Sequence, residues 1–366
     1  MKTIVFIASG IGTTKRGFEA HVEDLYHHIK NNSTNRLLLF KGGGKTTKTE
    51  RTIFNVRRSS FPAKVLALLS GKSSYDIQTI SFFIGLLPQL IRQPIDIIYL
   101  GEPKLYYLLQ KWRKWTGKKF QIIFFTGGQT IPRIVSKEDS IHHVSPLCIN
   151  KANAQGIPAA NQFLIPHFLN LPEKFSEISL EEKQKLKTKF QIPPDAIVVL
   201  SVGAIDSSVK RMDYLIREVS KLNDKIFLIL LGEQEMETGK IKSLAQELLP
   251  AKNYLIQTVP RHELPQYYSI ADIFVLASLA EGFGMVYIEA LSQGLPVVAH
   301  DFMVSRYVLK EYGFYNDLTK EGNLRNTLSE IIKSPLNADQ RFQRHQFVYE
   351  HYSWEKVKTD YLKLFT

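Results

Sequence analysis

The stretch Leu279 to Asp301 reads LAEGFGMVYIEALSQGLPVVAHD, and an apolar run, IFVLAS (Ile273–Ser278), precedes it. The run has the length and branched content of a buried strand. Its carboxyl end would deliver Glu281 to the edge of a sheet. Gly282 and Gly284 carry no Cβ, so a ligand can approach the backbone closely there. A helix is predicted from about Met285 to Gln293, stopped by Gly294, with Pro296 opening the next strand. The first turn of such a helix exposes N–H groups and roughly half a positive charge, which suits a phosphate. Glu289, about one turn inside, can reach hydroxyls of a nucleotide ribose. Glu281, at the mouth, can hold sugar hydroxyls and stabilise developing positive charge. The purely structural roles are a helix-face salt bridge for Glu289 and an N-cap for Glu281. Two glycines set between two carboxylates favour the ligand reading.

Working outward, short apolar runs alternate with segments of helical period. The first half offers strands at Thr3–Ala8, Arg36–Phe40, Ile95–Leu100 and Gln121–Thr126, with a helix over Phe18–Lys30. The second half restarts with Ala196–Gly203, Ile226–Gly232, Tyr254–Val259, Ile273–Ala277 and Pro296–His300. Near-continuous apolar strands are what a parallel sheet covered on both faces requires. The repeated alternation predicts two doubly wound α/β domains, residues 1–170 and 171–351. The amphipathic segment 352–366 is expected to pack back on the first domain. Ligands of such sheets bind beyond the carboxyl ends of the strands, so two facing sheets would bind theirs in the deep cleft between.

Composition narrows the partners. The 366 residues are 44% hydrophobic and 22% charged, a globular balance. Lysine and arginine number 47 against 35 acidic residues, a net charge of +12 that favours anionic partners. No zinc-ligand spacing, RNA-binding aromatic signature or basic heptad region accompanies that charge, so nucleic acid is not an expected partner. Peripheral contact with an anionic membrane is compatible with it. Cys148 is the sole cysteine, which points to a reducing, cytoplasmic setting. The opening MKTIVFIASGIG reads as a buried first strand rather than a leader. The apolar run ISFFIGLLPQLI (Ile80–Ile91) is too short for a membrane span and is expected to be broken by Pro88.

The segment EGFGMVYIEALSQGLPVVA, with seven residues between Glu281 and Glu289, resembles the E-x7-E segment of family-4 retaining glycosyltransferases of GT-B fold. LSVGAIDSSVKRMDYLI (Leu200–Ile216) resembles that family's strand, loop and helix around the donor diphosphate. LIPHFLN (Leu164–Asn170), HELPQYYSIADIFVLAS (His262–Ser278) and YSWEKVKTDYL resemble its interdomain, pre-motif and terminal crossover segments. GIGTTKRGFEAHVEDL (Gly10–Leu25) is more weakly similar to its first glycine loop and helix.

The resemblance implies transfer of a sugar from a nucleotide diphosphate donor, UDP- or GDP-linked, to a hydroxyl acceptor such as a surface polysaccharide or glycolipid. It implies catalytic roles for Glu281 and Lys210. It implies donor contacts at Gly203, Lys210, Arg211, Glu281, Gly282, Phe283, Gly284, Met285 and Glu289. On the acceptor side it implies Gly12, Thr13, Lys15, Arg16, Thr126, Gly127 and Gly128. Lys15 and Arg16 read equally well as a solvated charge pair. The family arginine after the strand glycine is replaced by Ala204, and Arg211 or the helix amides are expected to compensate. His142, His143 and His167 are expected to be structural. No cofactor or metal is expected, since the chain lacks any D-x-D. Three rivals stand beside transfer: a phosphorylase or epimerase of the same fold, a non-catalytic nucleotide-sugar binder, and a basic membrane module. FKGGGKTT (Phe40–Thr47) has its glycines misplaced for a phosphate loop and reads as a flexible basic loop.

Overall fold

The computed structural model describes residues 1–13, 17–127, 130–222 and 225–366. The chain divides into two compact units, one of residues 1–167 with 358–366 and one of residues 168–357. The sequence reading set the boundary three residues later and the returning segment at 352–366.

The first unit runs β1 (Thr3–Ala8), α1 (Gly17–Asn32), β2 (Arg36–Lys41), β3 (Glu50–Thr52), α2 (Phe61–Ser70), α3 (Ser74–Arg92), β4 (Ile97–Leu100), α4 (Pro103–Thr116), β5 (Gln121–Phe125), β6 (Ser140–His143), α5 (Pro146–Ala154) and β7 (Gln162–Leu164). Its seven strands pair in parallel in the order β3-β2-β1-β4-β5-β6-β7. All six residues of β1 are buried, as expected for a central strand with both faces covered. Phe365 returns to this sheet with its ring 5.4 Å from that of Phe6, and the Tyr361 hydroxyl donates to the Pro166 carbonyl at 2.8 Å.

The second unit contains α6 (Leu180–Lys189), β8 (Ile197–Val202), α7 (Met212–Val219), β9 (Ile226–Leu231), α8 (Thr238–Leu248), β10 (Tyr254–Gln257), α9 (Leu264–Ile270), β11 (Ile273–Leu276), α10 (Met285–Ser292), β12 (Val297–His300), α11 (Met303–Leu309), β13 (Gly313–Asn316), α12 (Asn323–Lys333) and α13 (Ala338–Tyr352); α14 (Trp354–Lys363) begins in it. Six parallel strands run β10-β9-β8-β11-β12-β13. A capping box starts α6, with Ser179 and Glu182 each satisfying the other's backbone N–H. Each unit is thus a doubly wound, Rossmann-like α/β layer.

Two local expectations need correction. Helix α3 continues through Pro88, whose missing N–H falls opposite the carbonyl of the exposed Ile84. Only the second half of FKGGGKTT is an exposed loop: Phe40 and Lys41 end β2, and Lys41 is buried with its Nζ 2.5 Å from Glu50. Gly42 packs so tightly that a Cβ would come within 1.9 Å of the Ser9 carbonyl oxygen. No helix among the described residues is long and apolar enough to cross a membrane.

Candidate functional site

Strand order reverses beside the first strand of each sheet, between β1 and β4 and between β8 and β11. Loops leaving such a pair diverge and open a crevice at the carboxyl edge. In the second unit the diverging loops are 203–211, after β8, and 277–284, after β11. Both segments singled out in the sequence therefore meet at one sheet edge.

The first loop is held by two carboxylates. Asp206 Oδ1 accepts the amides of Val209 and Lys210 at 2.8 and 2.6 Å, and the Asp206 carbonyl accepts that of Met212 at 2.9 Å. Glu237 Oε2 accepts the amide and hydroxyl of Ser207, both at 2.9 Å, and the amide of Ser208 at 3.2 Å. The floor is set by close approach of two strand ends, since a Cβ on Gly232 would lie 1.5 Å from the Gly203 carbonyl oxygen. Gly203 in turn lies against the Lys210 methylenes. The result is a directed lysine: Lys210 Nζ sits 2.5 Å from Glu281 Oε1, with side-chain exposures of 19% and 13%. Enough of both remains open for a ligand to join or displace the pair.

Helix α10 starts beside this pair. Its N-cap, Gly284, has φ 84°, a left-handed conformation that a side chain would strain, and no side chain caps the first amides. Those amides and Lys210 together make an electropositive edge next to the carboxylate of Glu281. Tyr287 is buried beneath it; burial, and then the neighbouring Glu281 charge, raise its phenol well above the ordinary range. Glu289 lies half-buried one turn along, accepting the Tyr268 hydroxyl at 2.8 Å. The Tyr268 phenol is raised by burial first and by Glu289 second.

Other expected donor contacts fall differently. Arg211 donates to the Leu318 carbonyl at 2.7 Å and stacks over the Tyr214 ring at 4.4 Å. Its guanidinium is therefore held by a loop carbonyl after β13 and by a ring of α7 rather than standing in for the arginine absent at Ala204. Phe283 is buried with its ring against Tyr352, so its backbone, not its side chain, borders the site. Gly282 and Met285 are half-exposed beside it. The sequence reading missed Asp206, Glu237 and Tyr268. An aspartate three and four residues before the amides it accepts is a local turn signal that was present in AIDSSVKR; nothing local marks the other two.

In the first unit, Gly12 is exposed at φ 77° and the Thr13 hydroxyl donates to the Gly10 carbonyl at 3.0 Å. Lys15, Arg16 and Gly128 lie outside the described residues. Thr126, expected to line the acceptor side, is instead buried. Its amide donates to the His142 carbonyl at 2.9 Å, and its hydroxyl lies 3.3 Å from His143 Nδ1, which ties it to β6. Gly127 is half-buried over the Phe125 ring. A buried carboxylate unmarked in the sequence, Glu102, accepts both the amide of Ser9, at 3.0 Å, and its hydroxyl, and burial raises its carboxyl above the usual range. His142 bonds Tyr99 and the Ile165 carbonyl, both at 2.9 Å, while His143 bonds Gln162 at 3.1 Å. Burial lowers their imidazoles to about 3 and about 4 respectively. His167 pairs with His21 at 2.9 Å.

Residues 182–353, nearly all of the second unit, match the family described as glycosyl transferases group 1. The chain is 24% identical over 274 residues to alpha-galactosylglucosyldiacylglycerol synthase of Streptococcus pneumoniae, covering 69% of this chain and 72% of that protein. It is 23% identical over 180 residues to the O-antigen biosynthesis glycosyltransferase WclY of Escherichia coli, 49% of each chain. The match thus spans only about half of that enzyme's length. In three dimensions it superposes on Anabaena HepE in complex with UDP and glucose with a TM-score of 0.76 at 15% identity, covering 100% of this chain and 99% of that one. The fold is GT-B, and the matches support the group 1 glycosyltransferase family.

Proposed function

We propose that this protein is a retaining glycosyltransferase of the family-4 type. It would move a sugar from a nucleoside diphosphate donor to a hydroxyl of a glycolipid or surface polysaccharide at the cytoplasmic face of a membrane. The observation that carries the proposal is the Lys210–Glu281 pair at the β8/β11 crevice, beside the uncapped start of α10. The relatives named for glycolipid and O-antigen synthesis favour those acceptor classes, and the UDP complex of HepE favours a uridine donor.

Each residue then has a task. Lys210 and the α10 amides hold the diphosphate and stabilise the charge it gains as a leaving group. Glu281 holds sugar hydroxyls and stabilises positive charge developing at the anomeric carbon. Glu289, oriented by Tyr268, takes the ribose hydroxyls. The bond from anomeric carbon to diphosphate oxygen breaks as the acceptor oxygen bonds on the same face, and the acceptor proton passes to the departing diphosphate. No side-chain nucleophile is required. Because Lys210 and the helix dipole supply positive charge, turnover is expected to need no divalent metal.

A thermal-shift screen with UDP, GDP, ADP and their sugars tests the donor, since a specific ligand stabilises the folded state by mass action. Donor turnover with and without EDTA tests the metal, and early NMR of the product anomer tests retention. An inverted product would remove the retaining assignment; stabilisation by none of the nucleotides would remove the donor site.

A further inference from the structure

We propose that helix α2 is the element by which this protein docks on an anionic lipid bilayer. Its apolar side chains face water. Phe61, Leu68 and Leu69 are 78%, 85% and 78% exposed, Val65 and Leu66 are also exposed, and Ala63 is the one buried residue of the helix. Phe61, Val65, Leu68 and Leu69 fall at i, i+4, i+7 and i+8, which is one face of a helix. Phe54, just before it, is 76% exposed. The helix is firmly built: Ser60 caps its start, Pro62 lies in its first turn, and Gly71 closes it in the left-handed conformation. Its apolar exposure is therefore a fixed surface rather than frayed chain. A contiguous apolar face on a well-capped helix marks an interaction surface.

Charge identifies what covers it. From Arg51 to Tyr75 the chain contains no aspartate or glutamate and carries Arg51, Arg57, Arg58, Lys64 and Lys72. Arg51 turns to Gln89 and Arg58 to Gln78 and Glu19. Arg57, Lys64 and Lys72 stand exposed beside the apolar face. A second copy docked face to face would oppose these cations to their own duplicates. An anionic bilayer meets both needs at once, taking the apolar side chains among acyl chains and the cations among headgroups. At ten residues the helix is about 15 Å long, too short to span and suited to lying in the interface. It follows β3, which runs parallel to β1, so it leaves the same sheet edge that carries Ser9–Thr13. Resting on the transferase reading above, docking there would present that edge to acceptor hydroxyls at the lipid surface.

The test is cosedimentation of the full chain with vesicles of phosphatidylcholine alone or with about a third phosphatidylglycerol. The wild type should bind the anionic vesicles and release in high salt. Leu68→Ser/Leu69→Ser should weaken binding at least about tenfold, and Lys64→Gln/Lys72→Gln several-fold. Both pairs are exposed, so unchanged melting temperatures are expected and verify the fold. Equal binding by Leu68→Ser/Leu69→Ser and wild type overturns the proposal, as does no wild-type binding. So does a wild-type dimer that the same substitutions convert to monomer, since a second copy would then be the cover. Release of nucleoside diphosphate with a water-soluble acceptor is read in parallel and should be unchanged in Leu68→Ser/Leu69→Ser. Vesicle binding without turnover of any donor would overturn the transferase reading and leave the docking surface standing.

Discussion

Lys210 and Glu281 form one unit, and removing either should have opposite consequences for a bound nucleotide. In Lys210→Met the methylenes that cover Gly203 are kept and the charge is lost. A charge-assisted hydrogen bond to phosphate contributes about 1.5–3 kcal/mol, so nucleoside diphosphate affinity should fall roughly 10- to 150-fold. The ceiling is about 4 kcal/mol, the Coulomb energy of unit charges 4 Å apart near a protein surface. Without ligand, that same ammonium is held 2.5 Å from the Glu281 carboxylate, and an arriving diphosphate must compete with it. A partly exposed ion pair contributes about 0–1 kcal/mol. Glu281→Gln should therefore leave nucleoside diphosphate binding unchanged or tighten it up to about fivefold. Its turnover should nevertheless fall about 100-fold, because the lost carboxylate acts where charge develops in the transition state.

Isothermal titration with UDP and GDP, alongside rates of nucleotide release, separates the two. The double variant should bind like Lys210→Met alone, since Glu281 has nothing left to compete for. Unchanged nucleotide affinity in Lys210→Met would refute the phosphate assignment. Equal weakening by both single substitutions would refute the competition and make Glu281 a direct ligand of the nucleotide.

Gly232→Ala should destabilise the protein by about 1–3 kcal/mol, because its Cβ would fall 1.5 Å from a backbone oxygen that flexible side chains cannot relieve. Urea unfolding measures it, and a wild-type midpoint would show that the β8 and β9 ends part freely. Tyr268→Phe removes the hydroxyl that orients Glu289 and should weaken nucleotide binding about three- to tenfold, with deoxynucleotides affected less. Equal losses for ribo- and deoxynucleotides would detach Glu289 from the ribose. Acid should destabilise the fold through His142 and His143, lowered by burial to about 3 and about 4 while the unfolded chain titrates near 6.5. Their contribution is intact above pH 6.5; below it the unfolded state gains two protons the folded state refuses, costing up to about 2.7 kcal/mol per pH unit until His143 titrates. Urea midpoints that do not shift between pH 7 and 5, or a pH slope unaltered in His143→Gln, would contradict this.

Sequence periodicity exposed the central strands because burial on both faces forces an unbroken apolar run, as in TIVFIA and IFLILL. Outer strands escape that pressure. β6 reads SIHH, β7 QFL and β13 GFYN, with β7 and β13 only partly buried, so nothing in their composition separates them from loops. The candidate site divides the same way. Gly284 and Glu289 lie within one short segment, and the turn and helix that relate them are local consequences of sequence. Lys210 and Glu281 are 71 positions apart, and only the pairing of β8 with β11 brings them together. The alternation of strands and helices predicts a parallel sheet without fixing which strands are neighbours. Tyr268 is harder still, because its hydroxyl reaches Glu289 of α10 from α9, a helix that also buries Tyr267 and Ile270. A single tyrosine among two in PQYYSI carries no sign of which one is buried against a carboxylate. Of Lys210, Glu281, Gly284 and Glu289, Gly284 is the one marked by its own left-handed backbone. Lys210, Glu281 and the Glu237 and Tyr268 that hold the site in place are ordinary in sequence and become specific only through the fold.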